Sequence, residues 1–161
     1  MNKSIKRILA LVLALATALA LTACGEKAQE APDLNVVYED YIASLDEVPM
    51  MMDVTDDLVE TFYPGLGDIE CKQSVLVSAA ISAVAYEIAM VECADSDDVE
   101  AVQGIFQSRI DSQVNGGAMY PATTEAWQNA DLITSGNVVA LVVAGEDQDT
   151  AVSAISAALG L

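Results

Sequence analysis

Histidine is absent from the chain, lysine and arginine together number six, and cysteine occurs three times. Each scarcity removes a class of chemistry. Without an imidazole there is no Ser-His-Asp or Cys-His catalysis, no His-ligated zinc and no histidine switch near neutral pH. The thiols, none of them in a Cys-x-x-Cys spacing, are too few for a thiolate metal site. So few cations cannot neutralise a run of phosphates, which excludes nucleic acid as a partner, and they offer nothing to anionic lipid headgroups. No set of residues in the sequence points to a cofactor, a catalytic group or a metal.

What is present begins with an address. Lys3, Lys6 and Arg7 precede an unbroken run of Ile, Leu, Val, Ala and one Thr from Ile8 to Ala20, the charged start and apolar core of an export signal. The run is too short to span a bilayer, which takes about 20 apolar residues, and Cys24-Gly25-Glu26-Lys27 ends it. Its close, Leu21-Thr22-Ala23-Cys24, resembles the lipobox of bacterial lipoproteins, in which the Cys sulfur receives a diacylglyceryl group and the peptide is cut just before it. The sequence therefore predicts a signal peptide over 1–23, a lipidated Cys24 with a short tether over 24–32, and one domain over 33–161. Two acyl chains make a stable anchor, since each buried methylene contributes about 0.8 kcal/mol. The expected location is the cell membrane, with the domain facing outside. Lys3, Lys6 and Arg7 leave with the signal while all 25 acidic residues stay, so the net charge falls from −19 to −22. A generically acidic, soluble surface accounts for this excess; binding of divalent cations or cationic ligands is the alternative.

Apolar spacing outlines the domain. Leu34, Val37, Tyr41, Leu45 and Val48 recur at three- and four-residue steps, which predicts a helix capped by Asp33 and ended by Pro49. Met50, Met51 and Met52 show no ligand spacing and read as core filler. A short helix from Thr55, with Asp56 and Asp57 in its first turn, stops at Tyr63-Pro64-Gly65-Leu66-Gly67. Gln73 to Glu92 lacks a helical period and reads as a hairpin with strands near 74–79 and 85–92, a buried helix being the runner-up. Cys71 and Cys93 flank that hairpin, either as a disulfide or as two buried free thiols. Val99, Val102, Phe106 and Ile110 mark a further helix ending at Asn115-Gly116-Gly117. The preceding Asp95-Ser96-Asp97-Asp98 is not an EF-hand loop, because Val99, Glu100 and Phe106 stand where an oxygen ligand, Gly and Glu are required. After Tyr120-Pro121 come a short helix over about 123–129 and strands over 132–134 and 138–143, joined by Ser135-Gly136-Asn137. Gly136 and Asn137 tolerate the positive φ of a tight turn and are the strongest hairpin signal in the chain. A last helix runs from about Gln148 to Leu159.

The two halves resemble each other. Ile88-Ala89-Met90-Val91 lies over Val139-Ala140-Leu141-Val142, Asp95 and Asp98 over Glu146 and Asp149, and after a one-residue slip Ala101, Val102 and Ile105 over Ala151, Val152 and Ile155. Each half reads strand, strand, helix. Two such units predict an α+β domain, with a four-stranded antiparallel sheet, helices packed on one face and an additional N-terminal helix; about 130 residues is ample for one core.

The lipobox, Tyr63-Pro64-Gly65-Leu66, the strand Glu87-Ile88-Ala89, the helix ending near Arg109, Tyr120-Pro121 and the run Gly136-Asn137-Val138-Val139-Ala140-Leu141-Val142-Val143 together resemble the DUF4358 lipoproteins of Firmicutes, a family of unknown function. The resemblance covers Leu34 to about Ser156. It implies export and one compact domain, and it supplies no activity, substrate or catalytic residue.

Two functions remain open. The first is a non-enzymatic module that binds a protein, peptide or small molecule at the cell envelope. The second is a carboxylate-dependent enzyme, or an enzyme accessory, acting on envelope material through Glu87 and Glu92. Their opposite strand parity sends the two carboxylates to opposite faces and weakens the enzyme reading, as does the expectation that Glu87 is exposed and unpaired. A calcium-dependent module is a third, lesser option.

Overall fold

The computed structural model describes residues 30–161. The expected signal peptide over 1–23, Cys24 and the expected tether up to residue 29 lie outside the described residues.

Helix α1 (Leu34–Ala43) starts where Asp33 accepts hydrogen bonds from the backbone N–H groups of Asn35 (2.9 Å) and Val36 (3.4 Å). That cap satisfies two donors a helix start leaves unpaired. Its buried stripe is Leu34, Val37 and Tyr41. The expected continuation to Val48 does not form. The Ser44 hydroxyl donates to the Tyr41 carbonyl, closing the helix, and Val48 is exposed. Strand β1 (Met51–Asp53) follows, then helix α2 (Asp56–Phe62) and strand β2 (Cys71–Ala79), which turns into strand β3 (Glu87–Cys93). A 3₁₀ turn over Ser96–Asp98, in which Asp95 accepts from the Asp97 N–H, leads into helix α3 (Val99–Ser112). Helix α4 (Pro121–Gln128), strands β4 (Asp131–Ser135) and β5 (Val138–Val143), and helix α5 (Gln148–Ala158) complete the chain.

The strands form one antiparallel sheet in the order β1-β2-β3-β5-β4. It has five strands where the sequence predicts four. The extra member is β1 at the edge, where Met51 pairs with Ala79 and Asp53 with Val77. Three residues are too few to show the two-residue period of a strand, so the methionine run reads as filler without its sheet partner. Both predicted hairpins are present, β2–β3 and β4–β5, and each is followed by a 3₁₀ turn and a helix.

Helices cover both faces of the sheet, not one. On the first, Leu34, Val37 and Tyr41 of α1 and Ala151 and Ile155 of α5 pack on Ile88, Met90, Val138, Ala140 and Val142. On the second, α2, α3 and α4 bring Tyr63, Val102, Phe106, Ile110 and Trp127 onto Ala89, Val91, Val139, Leu141 and Val143. Topology supplies the reason. β3 and β4 run in the same direction, each antiparallel to β5, so α3 and α4 form the crossover between parallel strands. A crossover has one favoured hand, which fixes the face it takes. No strand follows α5 in the sheet, so that constraint does not apply to it, and it buries the opposite face.

Gly136 and Asn137 connect β4 to β5, Ser135 pairing with Val138. Gly136 has φ +56° and Asn137 is not in the positive-φ region, the pattern of a turn with Gly at its first central position. Asn137 holds the turn to the sheet, its carbonyl accepting from the Cys93 N–H (2.9 Å) and its side chain donating to the Cys93 carbonyl (3.3 Å). Open space surrounds the Cα of Gly136, so a side chain there meets backbone strain and no clash. Gly136→Val is expected to cost about 1 to 3 kcal/mol and Gly136→Asn less. Urea denaturation of the three proteins measures it, and equal midpoints for wild type and Gly136→Val would contradict the strained turn.

Candidate functional site

The two carboxylates singled out in the sequence do lie on opposite faces, and both are buried. Glu92 lies with Gln73 and Lys72. Its Oε1 accepts from Lys72 Nζ (3.0 Å) and its Oε2 from Gln73 Nε2 (2.8 Å). Burial pushes this carboxyl up, but the hydrogen bonds from Gln73 and Lys72 and the Lys72 charge outweigh it and hold it below the ordinary range. Gln73 also donates to the Pro32 carbonyl and accepts from the Leu34 N–H, both at 2.9 Å. This cluster therefore clamps the start of the domain to the start of β2.

Glu87 is neither exposed nor unpaired. Its side chain is wholly buried, and four donors converge on it. Oε1 accepts from Tyr63 Oη (2.8 Å) and Arg109 Nε (3.0 Å), and Oε2 from Ser78 Oγ (2.9 Å) and Arg109 Nη2 (2.8 Å). Burial raises the Tyr63 phenol well above its usual value, with the Glu87 charge and hydrogen bond adding to it and Arg109 opposing, so Tyr63 stays a donor at any physiological pH. The Arg109 guanidinium carbon lies 4.5 Å from the ring centroid of Phe62 and 5.2 Å from that of Trp127, within cation–π range. Sequence reasoning missed this pairing, although a signal existed. A carboxylate between Tyr86 and Ile88 in an apolar strand must find a partner, and beyond the expected signal peptide only Lys27, Lys72 and Arg109 could supply one. The four hydrogen bonds tie β2, β3, Tyr63 and α3 together through this one side chain.

Two hollows open at this end of the sheet. The smaller, ≈ 190 Å³, is lined by Phe62, Ser78, Tyr86, Glu87, Arg109, Gln113 and Trp127 among others. The larger, a groove of ≈ 790 Å³, lies between the Glu47–Pro49 segment, the β2–β3 loop, α4 and the turn after β5. Val84, Ala85, Tyr86 and Thr123 line both. The groove's rim carries the exposed carboxylates Glu47, Glu125, Glu146 and Asp147, no cation lines it among the described residues, and Val48, Pro49, Val84 and Tyr86 give it an apolar side. The Tyr86 hydroxyl shares a hydrogen bond with that of Tyr41. Because the groove lies where β2 ends and β3 begins, it stands at the opposite end of the sheet from the Gln73 clamp on Pro32 and Leu34.

Cys71 and Cys93 are direct cross-strand partners of β2 and β3, both free, and burial raises the pKa of each. Among the described residues no group of three or more Cys, Asp or Glu side chains is placed to hold a metal ion, and no helix is long and apolar enough to cross a membrane. Over residues 43–144 the sequence matches the family described as Domain of unknown function (DUF4358). No curated protein and no solved structure matches the chain.

Proposed function

The chain belongs to the DUF4358 family, and on that footing we propose that it is a non-enzymatic binding module of the cell envelope, held outside the membrane by lipid on Cys24. We assign its ligand to the groove at the far end of the sheet. The observation that carries this reading is the lining of that groove, four exposed carboxylates beside an apolar wall, with no cation among the described residues that line it. Its charge complement is a basic, partly apolar peptide segment, which would set cationic side chains on the rim and apolar ones against Val48 and Val84. Opposite charge raises the rate of encounter and sets specificity more than it sets affinity. Glu87 supports the non-enzymatic reading, because its carboxylate is fully engaged by Tyr63, Ser78 and Arg109.

One experiment tests both parts. Cells expressing wild type, Cys24→Ala and the double variant Glu146→Lys/Asp147→Lys are fractionated, and each protein is titrated with a peptide of alternating Lys and Leu and with its Glu–Leu counterpart. Cys24→Ala is expected as released protein or uncut precursor, with peptide binding intact. The charge-reversed variant is expected at the membrane, with binding of the Lys–Leu peptide weakened about tenfold or more, which is about 1.4 kcal/mol. Mature, membrane-bound Cys24→Ala protein would remove the anchor, and equal binding of both peptides to wild type would remove the groove.

A further inference from the structure

We propose that the ≈ 190 Å³ pocket beside Arg109 is a subsite for a neutral carbonyl oxygen of the amide kind, carried on a small flat or apolar body. The argument starts from the geometry of one side chain. A guanidinium has five N–H donors in a rigid planar fork. Glu87 takes the Nε edge, through Nε at 3.0 Å and Nη2 at 2.8 Å. Among the described residues no hydrogen bond engages Nη1, so the end of the fork formed by Nη1 and the second hydrogen of Nη2 remains to be used. Glu87, Phe62 and Trp127 hold the group in place, and Arg109 lines the pocket. Donors fixed in advance lose little freedom when they meet an acceptor.

Charge selects the kind of acceptor. Glu87 already neutralises Arg109 at close range, so a carboxylate would add a second buried negative charge beside the first, in a protein whose mature charge is −22. A neutral carbonyl accepts from the same two N–H groups without that cost. The walls suit the rest of such a ligand: Phe62 and Trp127 present aromatic surface, and Gln113 adds an amide that can donate or accept. The subsite stands on Arg109 alone and does not depend on what the acidic groove binds.

Trp127 is the single tryptophan of the chain, so its indole N–H gives one resonance that reports on this pocket. The full chain, labelled with ¹⁵N in detergent, is titrated with benzamide and separately with benzoate. Benzamide is expected to move the indole resonance saturably, and benzoate to need about tenfold higher concentration or more. Ser82→Phe, a substitution at an exposed residue lining the pocket, is expected to abolish the benzamide response in a folded protein. Arg109→Lys is expected to abolish it too, and should that variant not fold, Ser82→Phe decides. Glu146→Lys/Asp147→Lys is expected to bind benzamide as wild type does, which separates this subsite from the groove. No saturable shift in wild type, an unchanged response in Ser82→Phe, or benzoate matching benzamide would each overturn the proposal.

Discussion

Arg109→Ala is expected to destabilise the domain by about 3 to 5 kcal/mol, the cost of breaking a buried ion pair from one side. Glu87 is wholly buried, and in the variant it would keep only Tyr63 and Ser78 as donors. A carboxylate so placed must take up a proton or admit water, and either course disturbs the packing of α3 on the sheet. The loss also removes the stacking of the guanidinium on Phe62 and Trp127. Replacing both partners, in Glu87→Met/Arg109→Met, is expected to recover part of the stability, because the apolar groups need no partner while the Tyr63 phenol and Ser78 hydroxyl lose their acceptor. Chemical denaturation followed by circular dichroism reads all three proteins. A cost below about 1 kcal/mol for Arg109→Ala would mean that Glu87 is effectively solvated, and the description of the pair as an anchor would be wrong.

Protein recovered from oxidising conditions is expected to carry a Cys71–Cys93 disulfide, and reducing it is expected to cost about 3 kcal/mol. The sequence leaves the pair open between a bond and two buried thiols. Both thiols are free in the structure, and the register sets them at positions compatible with a bond. The Ala94 N–H donates to the Glu70 carbonyl at 2.9 Å, so Glu70 and Ala94 are joined by a ladder bond, and the next pair inward, Cys71 with Cys93, is the non-hydrogen-bonded one. Opposed residues at such a pair have Cα atoms about 4.5 Å apart, within the range a disulfide spans. Both side chains belong to the same packed face. Burial raises both thiols, so thiolate is scarce once the domain has folded, and the bond is expected to form during folding, by exchange with a disulfide oxidant whose own disulfide is reduced in turn. Thiol titration, in denaturant without reductant, of protein lacking Cys24 should find none free. Two titrating thiols would sink the expectation.

Periodicity in the sequence revealed nearly every element of the sheet and helices, because Val138 to Val143, Val102-Phe106-Ile110 and the Gly136-Asn137 turn carry local signals that tertiary contacts do not override. The error about the faces was itself legible. Val138–Val143 is apolar at every position and buried at every position, and a strand covered on one side only would alternate. β1 was not legible, since three residues acquire strand geometry only from β2 beside them. The candidate site was the least visible part. Glu87 and Arg109 are far apart in sequence, and their pairing depends on which face of the sheet α3 crosses, a matter of handedness that no local pattern encodes.

The place of β5 bears on the order in which the molecule can fold. β5 is the last strand in sequence, yet it lies between β3 and β4, pairing Val91 with Val139 on one side and Leu132 with Leu141 on the other. Until it arrives, β3 has a free apolar edge and neither face has its floor, so the N-terminal hairpin cannot complete a core alone. A chain threaded through a membrane from its N-terminus would therefore stay unfolded until nearly all of it had crossed. Closure by the final strand delays compaction through contacts between distant parts of the chain, and a product truncated before Val138 would present the open edge of β3 to its neighbours as a template for aggregation.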